Sequence, residues 1–135
     1  MTVTFDPQSL SDRVRKAVMQ EVIRGTEDIR NEAISLILHT EKTGRVYRRH
    51  SVEHQASAPG EAPASDTGRL INSITTEYDF QNMTGTINVG VAYGLFLEYG
   101  TKNIDPRPFL RPALANKGPA MEAAIATALR KGLSE

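Results

Sequence analysis

The chain has 135 residues, enough for one domain with a real core, and its 16 basic and 16 acidic residues cancel. This balance removes the whole-chain electrostatic argument for nucleic acid or an anionic membrane as the primary partner. The absence of cysteine excludes disulfides and thiolate metal sites, and no apolar run approaches the roughly 20 residues of a transmembrane helix. We therefore expect a soluble, single domain over residues 1–135 that does not enter a membrane.

The first predicted element is a long amphipathic helix from about Pro7 to about Thr40. At 1.5 Å per residue it would be roughly 50 Å long. Gly25 lies near its middle and predicts a local bend. A small sheet cannot cover a stripe of this length, which suggests packing against another subunit. The apolar stripe consists of Leu10, Val14, Val18, Val22, Ile29, Ala33 and Ile37.

Between Lys42 and Asp66 the character of the chain changes. Gly44 to His50 is basic and predicts an extended segment, with Val46–Val52 as a candidate strand. Gln55 to Asp66 is small, polar and proline-rich, with nothing large to bury. We interpret this part as a long mobile loop, a flexible arm at about residues 43–66.

A β-hairpin is predicted next. Thr67 to Asn72 favours a helical turn, and from Ser73 to Phe80 the apolar period changes to two. Alternation resumes from Thr84 to Val91. A lone hairpin is marginal, so a further strand or a packed helix is required, and Val46–Val52 is the candidate strand. The inward faces comprise Ile74, Thr76, Tyr78 and Phe80 on one strand and Ile87, Val89 and Val91 on the other.

The stretch from Ala92 to Leu114 holds half of the aromatic residues and three of the seven prolines. Tyr93 to Tyr99 fits a short apolar helix, with Gly100 placed to end it in a left-handed conformation. Pro106-Arg107-Pro108 cannot continue that helix. Phe109 and the leucines after it then restart an apolar pattern.

Glu98 lies inside this apolar helix. Its charge would be costly there without a partner, so we expect an ion pair with Arg107 or Arg111. The alternative is a catalytic acid whose pKa is raised by its neighbours. No further residues complete an enzyme constellation around it, and we expect no catalytic residues.

Lys117-Gly118-Pro119 predicts a break before a C-terminal helix in which Pro119 takes the first position. The expected inward stripe of that helix includes Met121, Ile125, Ala128, Leu129 and Leu133. The elements together predict an α+β fold, with the long N-terminal helix and the C-terminal helix packed on a small antiparallel sheet.

Two local patterns carry other chemistry. His50 to His54 matches the H-x-x-E-H zinc motif, but that motif requires a helix and a further ligand, so we expect no metal and no cofactor. The basic segment Arg45–Arg49, with arginines around Tyr47, leaves open a small nucleic-acid-binding accessory protein. An exposed edge strand protected by its charges explains the same pattern.

Three blocks of sequence resemble one family. They are A-S-A-P-G-E-A-P-A-S-D-T-G-R-L-I-N-S-I (Ala56–Ile74), V-A-Y-G-L-F-L-E-Y-G-T (Val91–Thr101) and R-P-F-L-R-P-A-L (Arg107–Leu114). In this order they resemble the head–tail joining, or tail-completion, proteins of long-tailed bacteriophages, typified by gene product ten of a lambdoid coliphage. The resemblance covers roughly Gly44 to Leu114.

The resemblance implies a non-enzymatic structural component of the virion, a connector or minor tail protein of the neck. It implies a homo-oligomeric ring, six- or twelve-fold, at the head–tail junction or the top of the tail. Neighbouring neck and tail proteins would be its partners, DNA would only pass through the channel, and synthesis would occur in the bacterial host cytoplasm. The family motif and interface implied by the resemblance comprise Gly68, Leu70, Tyr93, Phe96, Glu98, Tyr99, Gly100, Thr101, Arg107, Pro108, Phe109, Arg111 and Pro112.

Overall fold

The computed structural model describes residues 10–39, 42–44, 46–49, 52–63, 68–103 and 105–134. Over these residues the chain is α+β, as predicted, with a long helix near each end and two separate antiparallel hairpins between them. The elements are α1 (Asp12–His39), β1 (Val46–Arg49), β2 (Val52–Gln55), α2 (Arg69–Ser73), β3 (Ile74–Asp79), β4 (Thr84–Val89), α3 (Tyr93–Tyr99) and α4 (Leu110–Ser134).

The core lies along α1. The predicted apolar stripe of this helix is confirmed, because Val14, Val18, Val22, Ile29, Ala33 and Ile37 are all buried. The N-terminal half of the stripe packs against Ile125, Ala128 and Leu129 of α4, and its C-terminal half against Phe109 and Ala113. Each large side chain buried in this way contributes about 1.5–3 kcal/mol.

The stripe of α1 is thus covered by the chain itself. α4 extends along α1 and supplies the surface that the small sheet cannot, so the length of α1 does not require intersubunit packing. α1 is one helix from Asp12 to His39, so Gly25 does not interrupt it. A Cβ at Gly25 would lie 2.6 Å from the sulfur of Met121, so this glycine makes room for a side chain of α4.

Pro119 lies inside α4 and not at its first position, so the predicted break at residues 117–119 is wrong. A proline in a helix removes one backbone hydrogen bond and crowds the preceding turn. Packing against α1 on both sides of it, by Ala113 before and Ile125 after, offsets that cost. Leu133, expected to face inward, is 73% exposed.

The predicted hairpin is confirmed, and it is the second of the two hairpins along the chain. β3 and β4 are antiparallel, with Ile74 opposite Val89 at one end and Asp79 opposite Thr84 at the other. Ile74 is fully buried, whereas Phe80 lies beyond the last pair and is 64% exposed, contrary to its predicted inward place. The hairpin receives the packed helix that it needs, because it lies against α1.

Val46–Val52 is not a third strand of that sheet. The chain turns back within this segment, and β1 pairs with β2 in a hairpin of its own. Its cross-strand pairs are complementary: Tyr47 stacks on His54 with ring centroids 5.7 Å apart, and Arg48 lies opposite Glu53. Such pairs stabilise a hairpin locally.

The described part of the expected arm is held against the rest of the chain. The segment has nothing large to bury, but its small residues Ser57 and Ala62 are buried. The Glu61 carboxylate accepts the backbone N–H of Thr43 at 3.0 Å and that of Ala58 at 2.9 Å. Gly60 donates its N–H to the Pro106 carbonyl at 3.0 Å. Residues 45, 50, 51 and 64–66 of the expected arm lie outside the described residues.

Glu27 of α1 connects the helix to the second hairpin. Its carboxylate accepts hydrogen bonds from the hydroxyls of Tyr78 and Thr76, the latter at 2.8 Å. The hydrogen bond from Tyr78, followed by that from Thr76, holds the pKa of the Glu27 carboxyl below its ordinary value of 4.5. The ionised form is thus favoured by folding.

A carboxyl whose pKa is lowered by folding contributes stability that is present above its unfolded pKa and lost as pH falls through the folded pKa. We expect Glu27→Gln to lower the free energy of unfolding at pH 7. Below about pH 4 the same change should lower it by less. Urea unfolding at both pH values measures this. Glu77→Gln, an exposed change on β3, is the control. An equal loss at both pH values would contradict this role of the Glu27 charge.

Gly85 of β4 lies where the hairpin comes closest to α1. A Cβ added at Gly85 would overlap the hydroxyl of Thr26, a buried side chain whose hydroxyl donates to the Val22 carbonyl at 2.7 Å. The absence of a side chain at this one strand position therefore sets the spacing between α1 and the hairpin.

We expect Gly85→Ala to destabilise the fold by about 1–3 kcal/mol, because the added methyl forces the hairpin away from Thr26. Without the overlap, replacing a strand glycine by alanine would stabilise the fold by about 0.5–1 kcal/mol. The sign of the change in unfolding free energy therefore shows whether the overlap exists. Chemical denaturation of Gly85→Ala, Thr26→Ala and the double variant measures the coupling. Simple additivity of the two changes would refute the proposed overlap.

Candidate functional site around Glu98

The site begins at the C-terminus of α3. Gly100 ends this helix with φ 75° and ψ 177°, and its N–H donates to the Phe96 carbonyl at 2.8 Å. The positive φ was predicted, but this ψ lies outside the left-handed helical region and in one that is essentially restricted to glycine. Gly100 therefore turns the chain away from α3 in a way that no other residue adopts easily.

Glu98 is 2% exposed, and its carboxylate caps the N-terminus of α4. One oxygen, Oε2, accepts the backbone N–H groups of Phe109 at 2.8 Å and Leu110 at 2.9 Å. The other, Oε1, accepts the backbone N–H of Arg111 at 2.7 Å. A carboxylate at this end of a helix also interacts favourably with the helix dipole.

The cap is complete because of a proline. An α-helix leaves four N–H groups without an internal acceptor at its start, and in α4 these belong to residues 109–112. Glu98 accepts the first three, and the fourth residue, Pro112, has no N–H to satisfy. We name this arrangement of Glu98 with residues 109–112 the Glu98 cap.

Arg111 adds an ion pair to the cap. Its Nε donates to Oε1 of Glu98 at 3.2 Å, and its Nη2 donates to the Glu98 backbone carbonyl at 2.5 Å. The guanidinium carbon also lies 5.0 Å from the centre of the Tyr99 ring. Arg111 therefore neutralises the buried carboxylate and satisfies a carbonyl at the end of α3.

The predicted ion pair of Glu98 is confirmed with Arg111, and Arg107 is not its partner. The guanidinium Nε of Arg107 donates to the Ser57 carbonyl at 3.2 Å and its Nη1 to the Asp105 carbonyl at 3.3 Å. Its backbone N–H instead donates to the Leu97 carbonyl at 2.5 Å. Arg107 thus connects the residues after β2 to the end of α3.

The predicted motif residues divide into an internal and an external group. Phe109 is fully buried and shares one core cluster with Leu70, while Gly68 precedes α2 with φ 74°. Pro108 is half-buried before the Glu98 cap, and Thr101 makes only a local hydrogen bond with the Asn103 N–H at 3.3 Å. The aromatic members lie outside: Tyr93, Phe96 and Tyr99 are 40%, 47% and 62% exposed.

The polarity of α3 is inverted relative to an ordinary surface helix. Its inward side carries Glu98 together with Gly94 and the half-buried Leu97. Its outward side is apolar, and it includes Leu95, which is 62% exposed and was not among the predicted site residues. Helical spacing would have found it, since Leu95 and Tyr99 are four residues apart. We name the four exposed side chains Tyr93, Leu95, Phe96 and Tyr99 the α3 patch.

The geometry assigns the Glu98 carboxylate a structural role. Both of its oxygens accept hydrogen bonds from protein N–H groups, and the group is buried. A catalytic acid would instead present an oxygen within hydrogen-bond reach of a substrate. The arrangement fixes α3 against α4 and holds the α3 patch outward.

The other two patterns do not form sites among the described side chains. Glu53 and His54 lie on strand β2, where successive side chains point to opposite faces, and not on the helix that the zinc motif requires. His50 and Arg45 lie outside the described residues, as does the side chain of Arg49. Arg48 lies 3.9 Å from Glu53, an exposed pair that reduces the local positive charge. No cluster of three metal-binding side chains occurs in the described part of the chain.

Comparisons with protein-family models, with curated proteins and with solved structures give no match. Within the described ranges, no helix combines the length and apolarity needed to cross a bilayer. Any proposal about function therefore depends on the Glu98 cap, the α3 patch and the sequence blocks that contain them.

We expect Glu98→Ala to lower the free energy of unfolding by about 3–5 kcal/mol, because it leaves three N–H groups and Arg111 without their acceptor. Glu98→Gln keeps the shape but loses the charge, and its loss of stability should lie between zero and that of Glu98→Ala. Arg107→Ala, which removes only hydrogen bonds to carbonyls, should cost about 1 kcal/mol.

Thermal and urea unfolding measure these losses, with Glu122→Ala as the matched control at an exposed position on α4. The control should change stability by less than about 0.5 kcal/mol. A loss in Glu98→Ala no larger than that of the control would contradict the capping role.

Proposed function

We propose that this chain is a non-enzymatic structural component of a phage virion, a head–tail joining or tail-completion subunit that forms a homo-oligomeric ring. The observation that carries the proposal is the α3 patch. Its aromatic residues and the Glu98 cap beneath them belong to the same two sequence blocks that resemble the head–tail joining family.

The division of the motif supports an assembly role. In an enzyme, the polar motif residues would converge on an accessible pocket. Here Glu98 accepts the N–H groups at the start of α4, and the exposed motif residues include the rings of Tyr93, Phe96 and Tyr99. Tyrosine and phenylalanine are enriched in protein–protein interfaces, because they supply large contact area with few rotatable bonds.

The support beneath the α3 patch is rigid. α3 is joined to α4 through three backbone hydrogen bonds and an ion pair at Glu98. A surface that is fixed before it meets its partner loses less conformational entropy on binding. The Glu98 cap therefore suits a helix that presents apolar side chains to another protein.

Within this proposal the subunit lies in the virion, at the head–tail interface, in a six- or twelve-fold ring. Neighbouring neck and tail proteins contact the ring, and DNA passes through its channel without dedicated recognition. A formal net charge of zero is consistent with that passive relation to DNA. The alternative, nucleic-acid binding through Arg45–Arg49, has less support, because Arg48 lies beside Glu53.

The test is deletion of the gene from the phage or prophage genome that encodes it. Electron microscopy of lysates should show complete heads and tails that are not joined, with joined particles restored by the wild-type gene. Leu133→Ser, which changes an exposed leucine distant from α3 in the sequence, should restore joining as well as the wild type does. Normal joined particles from the deletion strain would refute the proposal.

A further inference from the structure

We propose that the α3 patch of one subunit docks into an apolar cleft at the tip of the β3–β4 hairpin of a second copy of this chain. The inference rests on the proposed ring and names the surfaces that build it. The occupant of each α3 patch is thus the next identical subunit.

The cleft has a volume of about 440 Å³ and lies between the N-terminal half of α1 and the hairpin tip. Its apolar part consists of Met19 and Ile23 of α1 and the exposed ring of Phe80. Charged residues line it as well: Asp12, Arg15 and Lys16. Arg15 holds the hairpin tip against α1, donating from Nη2 to the carbonyls of Phe80 at 3.3 Å and Gln81 at 3.1 Å.

The two surfaces lie at opposite ends of the β3–β4 hairpin. α3 packs near the end where Ile74 faces Val89, since a Cβ at Gly94 would meet the side chain of Val89. The cleft lies at the other end, beyond the Asp79–Thr84 pair, about 17 Å away along the strands. One subunit therefore offers the patch at one end and the cleft at the other. A contact between unlike surfaces is head-to-tail, and it forms a ring when the rotation between neighbouring subunits closes.

The area of the α3 patch is large enough to form part of an interface between subunits. The four side chains are 40–62% exposed, and at about 150–250 Å² per ring they present on the order of 400–500 Å² of apolar surface. This lies within the range of about 300–600 Å² for the largest patch on a monomer, a patch that is often functional. It also supplies about half of the roughly 800 Å² that each partner buries in a standard interface.

The chemistry of the two surfaces is complementary. Tyr93 and Tyr99 have apolar rings with a polar hydroxyl at the end, and Leu95 and Phe96 are wholly apolar. The cleft combines the apolar groups of Met19, Ile23 and Phe80 with charged groups that can bond to the tyrosine hydroxyls. An apolar centre with a polar rim is the usual arrangement of a stable interface.

The native chain contains no cysteine, so introduced thiols report contacts without background. We expect purified full-length protein that carries Leu95→Cys and Phe80→Cys together to form a ladder of disulfide-linked oligomers under mild oxidation. A mixture of the two single variants should give dimers, twice the 14.8 kDa of the monomer, and nothing larger. Leu95→Cys paired with Leu133→Cys is the control and should stay monomeric on a denaturing gel.

Native mass measurement gives a second readout. Leu95→Glu and Phe80→Glu, both at exposed positions, should each abolish oligomers while circular dichroism stays that of the wild type. Mixed together, they should form a dimer, because one intact patch still meets one intact cleft. Cross-linking only between two Leu95→Cys chains would indicate a symmetric interface and overturn the proposal, as would the absence of any self-association.

The failure of this inference differs from the failure of the proposed function. If the deletion strain fails to join heads to tails but Leu95→Glu joins them normally, this interface is wrong and the function stands. If the double cysteine variant forms its ladder but the deletion strain makes normal particles, the interface stands and the proposed function is wrong.

Discussion

One buried carboxylate joins the end of one helix to the start of the next. Glu98 satisfies the three N–H groups that begin α4, and Arg111 neutralises its charge from the first turn of the same helix. Hydrogen bonds to an ionised acceptor are about twice as strong as neutral ones, so the junction is stable although the carboxylate is removed from water. The Glu98 cap also forces the inverted polarity of α3: once the inward side carries the charge, the rings must lie outside.

Hydrophobic periodicity was sufficient for α1 and for the β3–β4 hairpin. The stripe of α1 and the alternation around Ile74 identified their buried faces, except that Phe80 is exposed. The errors occurred where a contact distant in sequence decides the local conformation. Gly25 indicates a bend on propensity alone, but its space is occupied by Met121. Pro119 indicates a helix start, but the packing of α4 on α1 continues across it.

The site was predictable in part. An acid inside an apolar helix required a partner, and Arg111 was one of the two candidates. The main acceptor role of Glu98 was not predictable, because backbone N–H groups have no signature in a sequence and their positions depend on where α4 begins. Pro112 is the one residue that hints at it, since a proline removes a donor at the helix start. Leu95 was predictable as well, because it lies four residues before Tyr99 and therefore on the same side of a helix.

The connection between α3 and α4 has a mechanical consequence. Residues 100–109 separate the two helices along the chain, but Glu98 joins them directly. α4 in turn lies along α1, with Met121 placed against Gly25 near the middle of that helix. A force applied to α3 is therefore passed to the two longest helices through hydrogen bonds and packed side chains. α3, α4 and α1 are thus connected in series by contacts that do not use the loop between α3 and α4.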